Sequence, residues 1–337
     1  MRLDVSAAFT GTEIVPGDVE VADGVVTGIG LSPRGSGLAV PGYVDLQVNG
    51  WAGVDLHTAG PDDRERLSAA LADAGTTRWR PTLISAPEEE LSRALQGPWP
   101  RACLGVHLEG PFLSPEKGGA HPPEYLRAPD LAELRRLLDA GRVGTVSQVT
   151  LAPELPGALA LIDELTARGL LVSAGHTAAS TLPPGIRAVT HLHNAMTPSV
   201  VEAALAREDI AIQVIVDLLH VPGETVRADY ERSRGRFSLV SDCVGDSLGG
   251  RPIEVSGGEV KGGHGRLAGS KLTMAEAVRK LHALGVPLAE ALAAATSIPA
   301  ALAGRPDLGR LTPGQRADVV VLDDALEVRR VLVAGGA

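Results

Sequence analysis

From about residue 41 to residue 306 the chain repeats one pattern: a short run of apolar and β-branched residues, then a longer window in which apolar positions recur every three or four residues. The short runs predict strands over 43–48, 76–82, 102–109, 143–151, 170–174, 188–192, 210–216 and 237–241. The longer windows predict helices within 62–74, 130–140, 158–168, 200–207 and 224–232, and again over 272–284 and 288–295 after the last strand. Strands and helices alternating in this way over roughly 250 residues predict an α/β fold, a parallel (β/α)8 barrel of the TIM type. An open doubly wound sheet is the weaker alternative, because no Gly-rich nucleotide loop follows the first strand.

The two ends of the chain have a different rhythm. Residues 13–15, 18–21 and 25–29 alternate as short strands between Gly and Pro turns, and 317–322 and 328–333 have the same character. They predict a small β-sandwich domain built from 1–40 together with 307–337, leaving 41–306 as the barrel. The Gly-rich stretch 245–263, with its short alternating segments, predicts a hairpin or lid over the barrel mouth.

Composition narrows the function classes. With 337 residues, 44% of them hydrophobic, the chain can bury a large core, and 40 Gly beside only 3% aromatics suit short strands, small-residue helices and tight turns. The net charge of −10 and the scattered basic residues argue against nucleic acid as a partner. No run reaches membrane-spanning length and residues 1–5 lack a signal-peptide core, which predicts a cytoplasmic protein with no membrane contact. Cys103 and Cys243 have neither disulfide nor metal spacing and read as buried small hydrophobes.

The chemistry sits where the predicted strands stop. Glu109 ends the third strand just before Gly110-Pro111, which cannot continue a ladder. Gly175-His176-Thr177 follows the fifth strand, Thr190-His191-Leu192-His193-Asn194 ends the sixth, His220 follows the seventh and Asp242 ends the eighth. In a parallel barrel all of these positions share one rim. A carboxylate and two imidazoles from separate strands make a three-ligand site for a divalent cation with one position open to water. Such a cation acidifies water and polarises a carbonyl, and Asp242, not needed as a ligand, can carry a proton from the water to a departing amine. That set of groups suits hydrolysis of an amide.

Each of these residues alone has a duller reading: a hydrogen-bonded structural His, a Glu paired with an Arg, an Asp capping the next segment. The coincidence of ligand or base chemistry at four strand ends, those of Glu109, His176, His191 and Asp242, where packing would place Val, Ile or Leu, carries the argument. The period of two puts His107 on the same strand face as Glu109, lining the barrel beneath it, and His193 stands in the same relation to His191. His57, His264 and His282 fall in loop or helix contexts and read as structural or solvated.

The segments Pro41-Gly42-Tyr43-Val44-Asp45-Leu46-Gln47-Val48-Asn49-Gly50, His107 to His121, Gly175-His176-Thr177, Thr190 to Met196, Leu239-Val240-Ser241-Asp242 and Leu267-Ala268-Gly269-Ser270-Lys271-Leu272-Thr273-Met274 resemble the N-acetylglucosamine-6-phosphate deacetylase family of the amidohydrolase superfamily. The similarity runs nearly the whole length. It implies Glu109, His176 and His191 as ligands of one divalent metal ion, zinc with iron, manganese or cobalt as alternatives, and Asp242 as general base and acid. It also implies that His121 holds the acetyl carbonyl, that Asn194 and Ala195 touch the sugar phosphate, and that His220 contacts the sugar. Gln47 and Asn49 occupy the first-strand positions where many superfamily members carry a His-x-His pair for a second metal.

The implied reaction converts N-acetylglucosamine 6-phosphate to glucosamine 6-phosphate and acetate, and the implied assembly is a homodimer. The chain departs from the family after the sixth strand, where an Arg-x-Pro-Gly segment that grips phosphate has no counterpart. Leu218-Leu219 and Gly118 are further departures. Thr197, followed by Pro198, is a helix start whose amides offer an anion site without Arg, and Arg207, Lys117, Arg227 and Lys271 are the cationic candidates. A non-phosphorylated, epimeric or other N-acyl substrate, and a binding or regulatory barrel without activity, are the readings set against this one.

Overall fold

A computed structural model of the chain describes residues 1–142, 144–262 and 265–333. Among these, eight strands form one parallel sheet in sequential order: β1 (Tyr43–Val48), β2 (Thr76–Leu83), β3 (Val106–Glu109), β4 (Val146–Leu151), β5 (Leu171–Ala174), β6 (Ala188–Val189), β7 (Ala211–Val214) and β8 (Phe237–Leu239). This is the TIM-type barrel expected from the alternation. It is wrapped by helices that include α1 (Pro61–Asp73), α2 (Glu88–Leu95), α3 (Leu131–Ala140), α4 (Ala158–Ala167), α5 (Pro198–Leu205), α6 (Gly223–Arg232), α7 (Met274–Ala283) and α8 (Leu288–Ala295). Their apolar faces join the strands in one buried cluster around Leu46, Trp79, Leu108, Leu151 and Leu239. No described helix is long and apolar enough to cross a membrane.

Helix starts follow local chemistry. The Asp130 side chain accepts from the amides of Ala132 and Glu133 at the head of α3, and the Thr273 hydroxyl accepts from Glu276 at the head of α7. Helix α2 was not anticipated, because Pro87, Pro98 and Pro100 break its neighbourhood into a loop-like pattern; its first turn nevertheless carries Glu88, Glu89 and Glu90, which suit a helix start. The third strand begins at Val106, later than the expected 102. Trp79 still bridges Cys103, but Gly105 at φ +84 interrupts the ladder between them.

Strands from both chain ends share a five-stranded sheet, Ile14–Pro16, Ala7–Phe9, Leu38–Pro41, Val319–Leu322 and Val328–Leu332. The hairpin of Asp18–Ala22 with Val25–Leu31 packs its Val19, Val21 and Val26 against Ala39, Val319 and Val321 of that sheet. The stretch after β8 folds as two short hairpins, Ser247–Leu248 with Arg251–Pro252 and Glu254–Ser256 with Glu259–Lys261.

The barrel closes between β1 and the chain just past β8. Asp242 N–H donates to the Gln47 carbonyl (3.0 Å), and Asn49 and Gly50 N–H donate to the Cys243 carbonyl (2.9 and 3.1 Å). Behind these bonds Asp45, 1% exposed, accepts from the amides of Gln47 (3.1 Å) and Ser241 (3.2 Å) and from the Ser241 hydroxyl. Burial pushes the Asp45 carboxyl up from 3.8 to about 6, against the pull of these hydrogen bonds.

Asp45→Ala leaves two amides and a hydroxyl without their acceptor and is expected to lower unfolding stability by about 1–3 kcal/mol in a urea melt. Because the folded carboxyl binds its proton more tightly than the unfolded one, this group makes stability fall as pH rises from about 4 to about 6. Asp45→Asn, which cannot ionise, is expected to flatten that fall relative to the wild-type chain; parallel pH profiles for the two proteins would refute the assignment.

Candidate active site

Five residues at the carboxyl rim of the barrel have left-handed backbone: His176 (φ +48), His191 (φ +34), His193 (φ +75), Ala195 (φ +50) and Asp242 (φ +51). Side chains other than Gly rarely adopt this region, and clusters of such residues mark sites where the surrounding fold imposes geometry for function. Here the turns follow β5, β6 and β8, and they bring His176, His191, Ala195 and Asp242 to the cavity at the barrel mouth.

Glu109 ends β3 and is 2% exposed. Its Oε1 lies 3.1 Å from His176 Nε2 and 2.8 Å from His191 Nε2, and its Oε2 accepts from Gln47 Nε2 at 3.2 Å. One ligand atom from each of Glu109, His176 and His191 lies within 4.8 Å of the others, and all three residues are buried. Burial alone would raise the Glu109 carboxyl, and the two imidazoles hold it well below its ordinary value instead.

The second ring nitrogen of His176 fixes its tautomer. His176 Nδ1 lies 2.9 Å from the Lys117 carbonyl, which can only accept, so Nδ1 carries the proton and donates it. A neutral His176 then turns the bare lone pair of Nε2 toward a carboxylate oxygen. Either a second proton on the ring or a cation satisfies that contact, and two imidazole nitrogens with one carboxylate suit a divalent metal.

The residues expected nearby are placed as follows. Asp242 is 8% exposed and its Oδ1 accepts from Asn49 Nδ2 at 2.7 Å. Burial, reinforced by the charge of Glu109, pushes its carboxyl up to about 6. Gln47 and Asn49 thus each hold one acid. His121 Nδ1 accepts from the Ser85 amide at 3.2 Å, so a neutral His121 carries its proton on Nε2, and burial keeps the ring neutral by lowering its pKa well below 6.5. His220 donates from Nδ1 to Asp217 at 2.7 Å, leaving Nε2 free.

These groups surround a cavity of about 400 Å³ whose wall includes Glu109, His121, His176, His191, His220 and Asp242, as well as Asn49, Asn194 and Ala195. Thr197 is outside that wall: its hydroxyl donates to the Ala179 carbonyl at 2.7 Å while its residue caps α5. Arg207 pairs with Asp209 and donates to the Leu182 and Pro183 carbonyls. Arg227 pairs with Glu231, and Lys271 donates to the carbonyls of Val244 and Gly245. Of the cationic candidates, Lys117 alone lines the cavity. It is joined there by Arg266, which sequence reasoning missed because it lies in a Gly-rich turn with no periodic signal.

The remaining histidines have structural partners. His107 lies between Thr150 (2.6 Å) and Thr82 (3.3 Å), and burial pulls it down to about 3. His193 pairs with Asp229 at 2.6 Å, His57 Nε2 accepts from the Ile84 amide, and His282 donates to the Val286 carbonyl. His264 lies outside the described residues.

The profile of the amidohydrolase family matches residues 38–337 of the chain. An N-acetylgalactosamine-6-phosphate deacetylase of Escherichia coli O157:H7 is 33% identical, over 94% of this chain and 93% of that protein. An N-acetylglucosamine-6-phosphate deacetylase of Danio rerio is also 33% identical, over 88% of this chain and 83% of that protein. A mutant N-acetyl-D-glucosamine-6-phosphate deacetylase of Mycobacterium smegmatis, solved in complex with N-acetyl-D-glucosamine-6-phosphate, superposes with a TM-score of 0.93 at 34% identity, covering 99% of this chain and 98% of that one.

Proposed function

The chain belongs to the amidohydrolase family, and from that premise we propose that it removes the acetyl group from an N-acetylated amino sugar phosphate, N-acetylglucosamine 6-phosphate foremost, releasing acetate and the free amine. The observation that carries this reading is the convergence of Glu109, His176 and His191 on one buried point with Asp242 on the same cavity wall. The three residues would hold one divalent cation, which we assign as zinc; iron(II), manganese and cobalt suit the same donors. A cation bound there acidifies water and polarises a carbonyl oxygen.

The chain's own residues supply the rest. Asp242, with its carboxyl at about 6, is ionised at neutral pH, takes a proton from the attacking water and returns it to the departing nitrogen. His121 donates from Nε2–H to the acetyl oxygen as negative charge develops on it. Gln47 and Asn49 are amides, poor ligands for a second cation, and act by holding Glu109 and Asp242 in place. Asn194, the Ala195 backbone and His220 receive the sugar and its phosphate, with Lys117 and Arg266 adding positive charge to the wall. We extend the proposal to a cytoplasmic homodimer, which the family resemblance supports.

A second reading changes the epimer. The E. coli relative carries a galactosamine name at the same identity as the glucosamine relative from Danio rerio, so N-acetylgalactosamine 6-phosphate is the alternative substrate.

Asp242→Asn is expected to retain metal by elemental analysis while kcat falls by about 10²- to 10⁴-fold. Glu109→Gln is expected to lose metal as well as turnover; undiminished acetate release from either variant removes the mechanism. Acetate release from both epimers, each with and without the 6-phosphate, assigns the substrate. The phosphorylated sugar is expected to be favoured in kcat/KM by about 100-fold or more, and equal rates on the plain sugar would remove phosphate from the proposal.

A further inference from the structure

One part of the active-site wall is apolar. Ile84, Leu248 and Ala120 line the cavity, and they belong to a hydrophobic cluster with Val244, Val260 and Ala268 that is separate from the barrel core. Ile84 directly follows β2 and precedes Ser85, whose amide and hydroxyl lie 3.2 and 2.9 Å from His121 Nδ1. The Ile84 amide itself donates to His57 Nε2 at 2.8 Å. The segment that orients the His121 ring therefore carries a fixed apolar residue next to it.

Leu248 is held from the other side. Asp55, which is buried, accepts from the Ser247 hydroxyl and the Gly250 amide, both at 2.7 Å. These bonds tie the hairpin of Ser247–Leu248 with Arg251–Pro252 to the segment after β1. At its turn Gly249 (φ +61) packs on Ile84, where an added Cβ would stand 3.0 Å from Ile84 Cδ1. The hairpin and the end of β2 are thus in contact, and both Leu248 and Ile84 are buried. Ile215, another large apolar residue of the cavity wall, belongs to the barrel core instead.

The carbonyl carbon of an amide has three substituents, and the chemistry proposed above directs two of them. The oxygen turns to His121 and the nitrogen to Asp242. The third is the alkyl end of the acyl group, which cannot hydrogen-bond and would strand polar partners if it lay against Glu109, His176 or His191. Resting on the deacetylase reading, we infer that Ile84, Leu248 and Ala120 form the acyl pocket of this site and restrict its substrates to short N-acyl groups, acetyl in preference to propionyl or longer. An added methylene meets side chains that Asp55 and the Gly249 contact keep from retreating.

The test compares kcat/KM for the N-acetyl and N-propionyl forms of glucosamine 6-phosphate, read as release of the free amine. Wild type is expected to favour acetyl by about 10-fold or more, and Leu248→Ala and Ile84→Ala are each expected to reduce that preference by about 10-fold. Each preference is a ratio within one preparation, so it does not depend on how much of a variant is folded. An active wild type that takes both acyl groups equally, or variants that keep the wild-type ratio, would overturn the pocket while leaving the deacetylase reading intact. A wild type that cleaves neither sugar, nor their galactosamine epimers, would sink that reading and the pocket with it.

Discussion

A parallel barrel has to close its last strand on its first, and in this chain one buried carboxylate does much of that work. Asp45 collects two amides and a hydroxyl from the segments that carry Gln47 and Asp242. The same seam positions the amides that hold two buried acids of the rim, because Gln47 reaches Glu109 and Asn49 reaches Asp242. Closure of the fold and construction of the site are therefore one event. A gap at this seam would displace Asp242 relative to the two imidazoles across the rim.

Below the rim the interior is polar in layers. Under Glu109 lies the set of hydroxyls around His107, whose ring burial keeps neutral. That layer meets its own hydrogen-bonding needs across five strands and adds no charge beneath the metal-type site. The layer beneath it carries the Arg80 guanidinium with unmatched donors. Barrel interiors filled by Val, Ile and Leu are rigid because they are packed; this one is held by hydrogen bonds, so its order depends on every group finding a partner.

Much of the architecture was legible in the apolar rhythm, since strand and helix windows differ in period and the barrel needs only their alternation. The strand ends were harder. The sixth strand was expected to run to residue 192, yet the ladder stops at Val189, because His191 and His193 take up left-handed backbone that no hydrophobic pattern encodes. The three residues grouped by the resemblance, Glu109, His176 and His191, do meet at one point. Thr197 and Arg207 were readable only as residue types near the right place, and the structure directs both to backbone carbonyls. Arg80 gave no warning, since a strand reading Arg78-Trp79-Arg80-Pro81-Thr82 does not say which face closes inward.

The left-handed residues of the rim carry a consequence for how the molecule matures. Each such backbone costs on the order of 1 kcal/mol or more when nothing enforces it, so the isolated strand–turn segments would relax away from this geometry. The ligand cluster cannot exist as a local motif that captures an ion early and nucleates the fold, as a zinc finger does. It comes into being only when β3 to β6 stand side by side in the sheet. A cation held by Glu109, His176 and His191 would bind a site that the assembled strands have already shaped.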